Sequence, residues 1–449
     1  MLSAASNMSS SNNQPNFAPF RDEKNNSLVV ILGAQWGDEG KGKIVDLLAS
    51  QADIVCRCQG GNNAGHTVVA NGKTYHFHLL PSGIIQSNCT SVIGNGVVIH
   101  LPGLFAEIEA IEKNGVQDCW SKLKISDRAH LVFDFHQEAD GLLELEKGDS
   151  KIGTTKKGIG PAYSTKASRV GLRVCDLMGD FEDFTKKFKN LVKGYRKRFS
   201  ELEVDVEKEL ERYKRYADII RPSIEDTVFF LSEELKKGNK NIIVEGANAV
   251  MLDLDFGTYP YVTSSSCGIG GVCTGLGLPP STIRNVVGIC KAYITRVGAG
   301  DFPTFLDSDI GTKLQDIGQE FGTTTGRRRR CGWLDIVVLD YVNRISGLTS
   351  IAVTKLDVMD TFEEVKIGTA YIHNGQKLKS FPADHSILSE VEVEYITMPG
   401  WKQNISLCRK FSDLPENAQA YILKIEELSG IPVQFVGVGK SRDATIRRF

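Results

Sequence analysis

Apolar residues along this chain follow two rhythms. Short runs occur at Leu28 to Ile31, within Ala52 to Gln59, in Gly94 to Leu101, at the start of Asn241 to Gly271, from Val286, in Ser350 to Val358, at Val391 to Ile396 and at Val433 to Val436. Most are unbroken, which suits strands covered on both faces, as in a parallel sheet. Between them apolar positions recur at helical spacing: Ile44, Val45, Leu47 and Leu48 after the first run, Gly103 to Lys113 behind Pro102, and Asn417 to Leu428. Strand then helix, repeated, predicts an α/β protein with a mainly parallel central sheet. Phe181 to Lys240 differs. It is densely charged, with Phe184, Phe188, Leu191, Leu202, Val206, Leu210 and Tyr213 at helical intervals, and reads as two or three surface helices inserted over about residues 181–240.

The first strand runs into the stretch on which the chemistry centres. Gly33, Gly37, Gly40 and Gly42 surround the lysines Lys41 and Lys43. Such a turn between strand and helix points backbone N–H groups at an anion, and the lysines neutralise it. The spacing departs from G-x-x-x-x-G-K-[ST]: six residues separate Gly33 from Gly40, and Gly42 stands where a hydroxyl would bind magnesium. Asp38 and Glu39 lie inside the turn. A carboxylate in a phosphate cradle is unfavourable unless it binds a metal or takes a proton, so Asp38 is a candidate for chemistry.

Further loops carry ligand chemistry. Gly60 to Val68 holds Asn62, Asn63 and His66 among glycines, and two glycine loops at strand ends predict two walls of one cleft. A lone histidine is commonly structural, but this setting favours function. Lys151 to Val174 contains Thr154, Thr155, six basic residues and four glycines, with no apolar periodicity long enough for an element. It suits a phosphate monoester, a solvated basic loop being the alternative. Glu245, Asn248 and Thr263 are the ligand candidates of Asn241 to Gly271. Gly322 to Asp335 sets four arginines between a threonine-rich loop and a helix. Ser350 to Val358 ends in T-K-x-D, where Asp357 can accept both adjacent N–H donors of guanine, a pair that adenine lacks. The turn from Gly437 can close over a flat base.

Composition narrows the partners. The net charge of −2 gives no global reason to expect nucleic acid or a membrane. The ten cysteines show no matched zinc-site spacing, which favours reduced thiols in a cytoplasmic protein. Residues 1–27 are rich in Ser and Asn without an apolar core, so they read as a disordered tail rather than a signal or transit peptide. The 449 residues alone would suggest two to four domains.

Taken together, QWGDEGKGK, GGNNAGHTV, GTTKKGIGPAY, FGTYPYVTSS, TTGRRRRCGWLD and TKLD resemble the signature segments of adenylosuccinate synthetases, in that family's order from Leu28 onward. The resemblance implies one large domain over residues 28–449, with helical and small β subdomains around the parallel sheet. It implies GTP-dependent joining of L-aspartate to IMP, with Mg2+, giving adenylosuccinate, GDP and phosphate by way of a 6-phosphoryl intermediate. By similarity, Asp38 is the base, His66 its partner acid and Lys41 the loop lysine, while Asp38 and the Gly65 carbonyl hold magnesium. GTP would meet Gly37 to Lys43, Gly65, His66, Thr67, Arg329, Lys355, Leu356, Asp357, Gly437, Val438 and Gly439, with Glu39, Gly40 and Gly42 inside the first of these. IMP would meet Asp38, Lys41, Asn63, Ala64, Gly65, His66, Thr155, Asn248, Thr263 and Arg327, and Arg169 would reach the IMP phosphate of a neighbouring subunit in a homodimer. Thr323, Thr324, Thr325, Gly326, Arg327 and Arg329 match the aspartate loop. Asn248 stands where bacterial members carry glutamine, as in animal-type members.

Two rivals come from other classes. A GTP-hydrolysing switch would use the guanine and phosphate sites but has no need of Asp38, His66, the 151–161 loop or the arginines. An RNA-binding module built on Arg327 to Arg330 lacks interleaved aromatics.

Overall fold

A computed structural model describes residues 27–70, 72–148, 151–321 and 328–449. The expected tail therefore lies almost wholly outside the described residues, as do Thr323 to Arg327 of the expected aspartate loop.

The first apolar run becomes the strand Ser27–Gly33 in the middle of a ten-stranded sheet. Along the sheet the order is Thr445–Arg447, Val433–Gly437, Ser350–Thr354, Asn285–Lys291, Ser27–Gly33, Asn241–Ala249, Ile54–Arg57, Thr90–Ile93, Leu123–Ser126 and Ile224–Glu225. Every neighbouring pair is parallel except Thr445–Arg447 against Val433–Gly437. The α/β expectation holds. Alternate residues of the first strand feed two different cores, Leu28, Val30 and Leu32 one, Val29 and Ile31 the other. The second core is closed by Ile44, Val45 and Leu47 of the helix Lys41–Ala49. Both faces are covered, which is why the run is unbroken rather than alternating.

The inserted stretch forms three helices, Phe181–Arg198, Val206–Ile220 and Thr227–Lys237. Asp180, Asp205 and Asp226 cap them, each side chain accepting a backbone N–H from three residues on. Phe184, Phe188, Leu191, Leu210 and Tyr213 are buried in a core shared with Leu131, Phe133 and Phe135. Each such aromatic contributes about 2–3 kcal/mol by leaving water. A smaller sheet of Tyr293–Arg296, Arg330–Asp335, Glu364–His373, Gln376–Lys377 and Glu392–Pro399 forms the expected β subdomain.

Three expectations need correction. Residues 151–174 are not free of elements: the helix Ile159–Ala167 lies inside them, begun by Gly158 at φ 73°. The arginines lead into the strand Arg330–Asp335, and the helix Ile336–Ser346 follows only after it. The insertion also contributes Ile224–Glu225 to the edge of the main sheet, so it is not confined to helices lying on it.

Candidate active site

The expected loops leave the same edge of the main sheet, at the carboxyl ends of its parallel strands, where open α/β sheets bind ligands. Residues 34–40 follow Ser27–Gly33, residues 58–65 follow Ile54–Arg57, and residues 355–357 follow Ser350–Thr354. One cavity of about 1640 Å³ opens there. Gly37 to Lys43, Asn63 to Thr67, Thr155, Arg169, Asn248, Thr263 and Arg329 all line it. Asp38 and His66, separate in sequence, thus share one space.

The first turn is built by its own charges. Asp38 sits at φ 59°, a left-handed conformation uncommon outside glycine, and its carboxylate pairs with Arg329 Nε at 2.7 Å. Glu39 turns inward instead. Its carboxylate accepts from the Gln35 and Gly37 N–H groups at 3.2 and 2.8 Å and pairs with Lys41 at 2.9 Å. Burial pushes the Glu39 carboxyl up, but Lys41 and these hydrogen bonds outweigh it and hold the group below its ordinary value. Glu39 is among the residues expected to meet GTP; its side chain is spent inside the turn.

Gly42 shows why this turn carries no Walker-type hydroxyl. A Cβ there would lie 2.8 Å from His66 Cδ2 and 3.1 Å from the Thr67 carbonyl oxygen. The helix start and the histidine are fitted to each other. His66 opens the hairpin strand His66–Ala70, pairs in register with Phe77 of Lys73–Phe77, and stacks on its ring with centroids 5.3 Å apart. Burial, then Arg57 and Lys41, push its imidazole down to about 3, so it is neutral at physiological pH. The loop before it is held by buried Arg57, which donates to the carbonyls of His78 and, at 2.9 Å, Gly61. Nothing in the local sequence marked Arg57 for this.

Lys355, Leu356, Asp357, Gly437, Val438 and Gly439 are absent from the lining of that cavity. The two stretches lie against each other instead, a Cβ on Gly437 standing 3.5 Å from the Lys355 nitrogen and 3.4 Å from Lys43 Nζ. Two contacts join them to the turn. Thr354 Oγ1 donates to the Glu39 carbonyl at 2.6 Å, and Lys43 Nζ donates to the carbonyls of Gly439 and Ala444 at 2.7 Å each. Burial pushes the Lys43 amine down to about 8, against the attraction of Asp357. Burial also raises the Asp357 carboxyl.

Asn63 Oδ1, His66 Nε2, Asn248 Oδ1, Thr263 Oγ1 and Asp357 Oδ1 are buried without a hydrogen-bond partner among the described residues. Leaving such atoms unpaired costs about 1–3 kcal/mol each, which marks them as waiting for a ligand. Glu245 is different: its carboxylate is used by Ser82, whose N–H and hydroxyl donate at 3.1 and 2.6 Å. Through Ser82 it braces the wall of the cavity that it also lines. Among residues that sequence reasoning passed over, Glu320 is the most heavily engaged, holding Lys291, Lys355 and Arg329 together.

Known proteins share this fold. The family model described as adenylosuccinate synthetase matches residues 30–446. The solved structure of fully ligated adenylosuccinate synthetase from Plasmodium falciparum is 45% identical, with a TM-score of 0.90, covering 94% of this chain and 100% of that one. Succinoaminodeoxyadenylate synthetase of cyanophage S-2L, solved with dGMP and dATP, shares the fold at 17% identity and a TM-score of 0.59, covering 94% and 96% of the two chains. By matched length and identity, this chain belongs to the adenylosuccinate synthetase family.

Proposed function

We propose that the cavity carries out ligation in two steps, with the residues of the two glycine loops in named roles. The chain is an adenylosuccinate synthase, a ligase of AMP biosynthesis. Asp38 takes the proton from the ring nitrogen of IMP beside its 6-oxo group. The resulting oxyanion attacks the γ-phosphorus of GTP, the bond to the β-phosphate oxygen breaks, and GDP leaves. The amine of L-aspartate then attacks the phosphorylated carbon, loses a proton, and phosphate departs. Phosphoryl transfer is accelerated mainly by positioning and charge neutralisation. Lys41 supplies charge beside the turn, and neutral His66 steadies the transferring group through an N–H rather than as a strong acid.

The buried oxygens of Asn63, Asn248 and Thr263 face IMP in this reading, and Thr155 and Arg169 meet its phosphate. Arg169 stands on the cavity wall of its own chain; its service to a neighbouring subunit, hence a homodimer, is part of the proposal. Lys355 to Asp357 and Gly437 to Gly439 enclose guanine, while Arg329 and the residues 323–327 hold the carboxylates of aspartate. Asp38 and Gly65 line one cavity, and the carboxylate of the one and the carbonyl of the other are hard oxygen donors of the kind that would hold magnesium. When bound, the ion neutralises phosphate charge.

The observation that carries this reading is the convergence of the unpartnered buried polar atoms of Asn63, His66, Asn248 and Thr263, from two separate stretches of chain, on the cavity that holds Asp38. The test is Asp38→Ala. Turnover, followed by the ultraviolet change on mixing IMP, GTP, magnesium and aspartate, is expected to vanish while GTP still binds. Near-normal turnover would overturn the base assignment.

A further inference from the structure

We propose that Glu320 is a positioning residue that ties the guanine turn at Lys355 to Arg329, the partner of Asp38. It rests on the reading of Lys355 to Asp357 as the guanine site and of Asp38 as the reacting carboxylate.

The Glu320 side chain is fully enclosed. One oxygen, Oε1, accepts from Lys355 Nζ at 2.7 Å and from the Tyr293 hydroxyl at 2.6 Å. The other, Oε2, accepts from Lys291 Nζ at 2.8 Å and Arg329 Nη1 at 3.0 Å. Four donors from three parts of the chain thus meet on one carboxylate. Its backbone carbonyl also accepts the Arg329 N–H at 2.9 Å. From Arg329 the line continues to Asp38 at 2.7 Å.

The neighbouring residues serve the same junction. Lys355, in a left-handed conformation at φ 57°, donates also to the Gly318 carbonyl at 2.8 Å. Lys440, in the turn beyond Gly439, donates to Gln319 Oε1 at 2.7 Å. The turn 318–320 therefore holds the turn at Lys355, the loop beyond Gly439 and the arginine beside Asp38.

Three cations against one buried carboxylate would repel one another and move apart without it. Arg329 would follow Asp38 alone, and Lys355 would keep only its carbonyl. Glu320 so sets the distance between the base end and the reacting end of one bound GTP. Misplacement of a reacting group by about 1 Å costs roughly a hundredfold in rate.

The test uses the full chain with Lys291→Met combined with Glu320→Gln, which removes one positive and one negative charge and leaves Arg329 and Lys355 in place. Lys291→Met alone is the control, and a thermal melt reports folding. The pair is expected to lower kcat by roughly a hundredfold, to raise KM for GTP, and to weaken the preference for GTP over ITP, with KM for IMP near wild type and Lys291→Met alone clearly less impaired than the pair. Glu320→Asp, one methylene shorter with its charge kept, is expected to be impaired likewise, because it cannot reach all four donors. A folded pair, or folded Glu320→Asp, with kcat and the GTP preference near wild type would overturn the inference. Asp357→Asn separates the two failures: if it leaves the GTP preference intact, the guanine reading itself is wrong.

Discussion

Gly42→Ala isolates the fit between the first helix and His66. The added Cβ would stand 2.8 Å from the imidazole Cδ2, whereas carbon atoms in contact rest at about 3.5–4.0 Å. The ring must retreat by more than half an ångström, and its stack on Phe77 leaves it little room. Overpacking of this kind costs about 1–3 kcal/mol. Replacing glycine by alanine inside a helix returns about 1 kcal/mol. Stability should therefore fall by no more than about 2 kcal/mol, read as a small drop in Tm. Turnover should fall much further, roughly a hundredfold, because the histidine no longer meets the transferring group. The assay pairs a thermal melt with kcat from ultraviolet absorbance. A variant with a normal kcat would refute the reasoning, since it would show that His66 can move without consequence. Gly42→Ser should fare no better, although it restores the hydroxyl of a common phosphate loop.

The other predictions concern different parts of the molecule. Burial pushes the Asp335 carboxyl up to about 7 although it accepts from Tyr371 and two helix N–H groups. A raised folded value means that stability present below about pH 4 is lost as pH rises to 7, by a few kcal/mol at most at about 1.4 per unit. Asp335→Asn should thus raise Tm at pH 8 and do little at pH 4; an equal effect at both pH values would contradict it. Lys43→Met removes both bonds to the residues 439 and 444, so KM for GTP should rise about tenfold for the loss of roughly 1.5 kcal/mol, with KM for IMP steady in the same saturation curves. Arg169→Leu should raise KM for IMP, and mixing it with an Asp38→Ala chain should restore activity if the arginine serves a neighbouring subunit. No restoration in mixed dimers would remove the shared site.

How much was legible beforehand depended on how local the signal was. The strands, the first helix and the glycine turns were visible because each is encoded within about ten residues. The helix Ile159–Ala167 was hidden because its buried face is made of Ile159, Pro161, Ala162 and Thr165, among which Ile159 is the one large apolar residue, too little to set an apolar rhythm. The strand Arg330–Asp335 was masked by the arginines before it, whose charge suggested a loop. Glu320 had no signature at all. Its partners lie 9, 27, 29 and 35 residues away, and only folding gathers them. Asp38 and His66 were singled out by chemistry out of place in a glycine loop, a cue that needs no three-dimensional information. The side chain of Glu39 shows the limit of that cue, since the neighbouring carboxylate in the same turn proved to be internal scaffolding.

Lys43 reaches across 401 residues of chain to the Ala444 carbonyl, and Arg442 returns to Asp46 at 2.8 Å. On a growing polypeptide the early glycine turn must therefore wait for the last few residues to be translated before this clasp between the two ends of the chain can form.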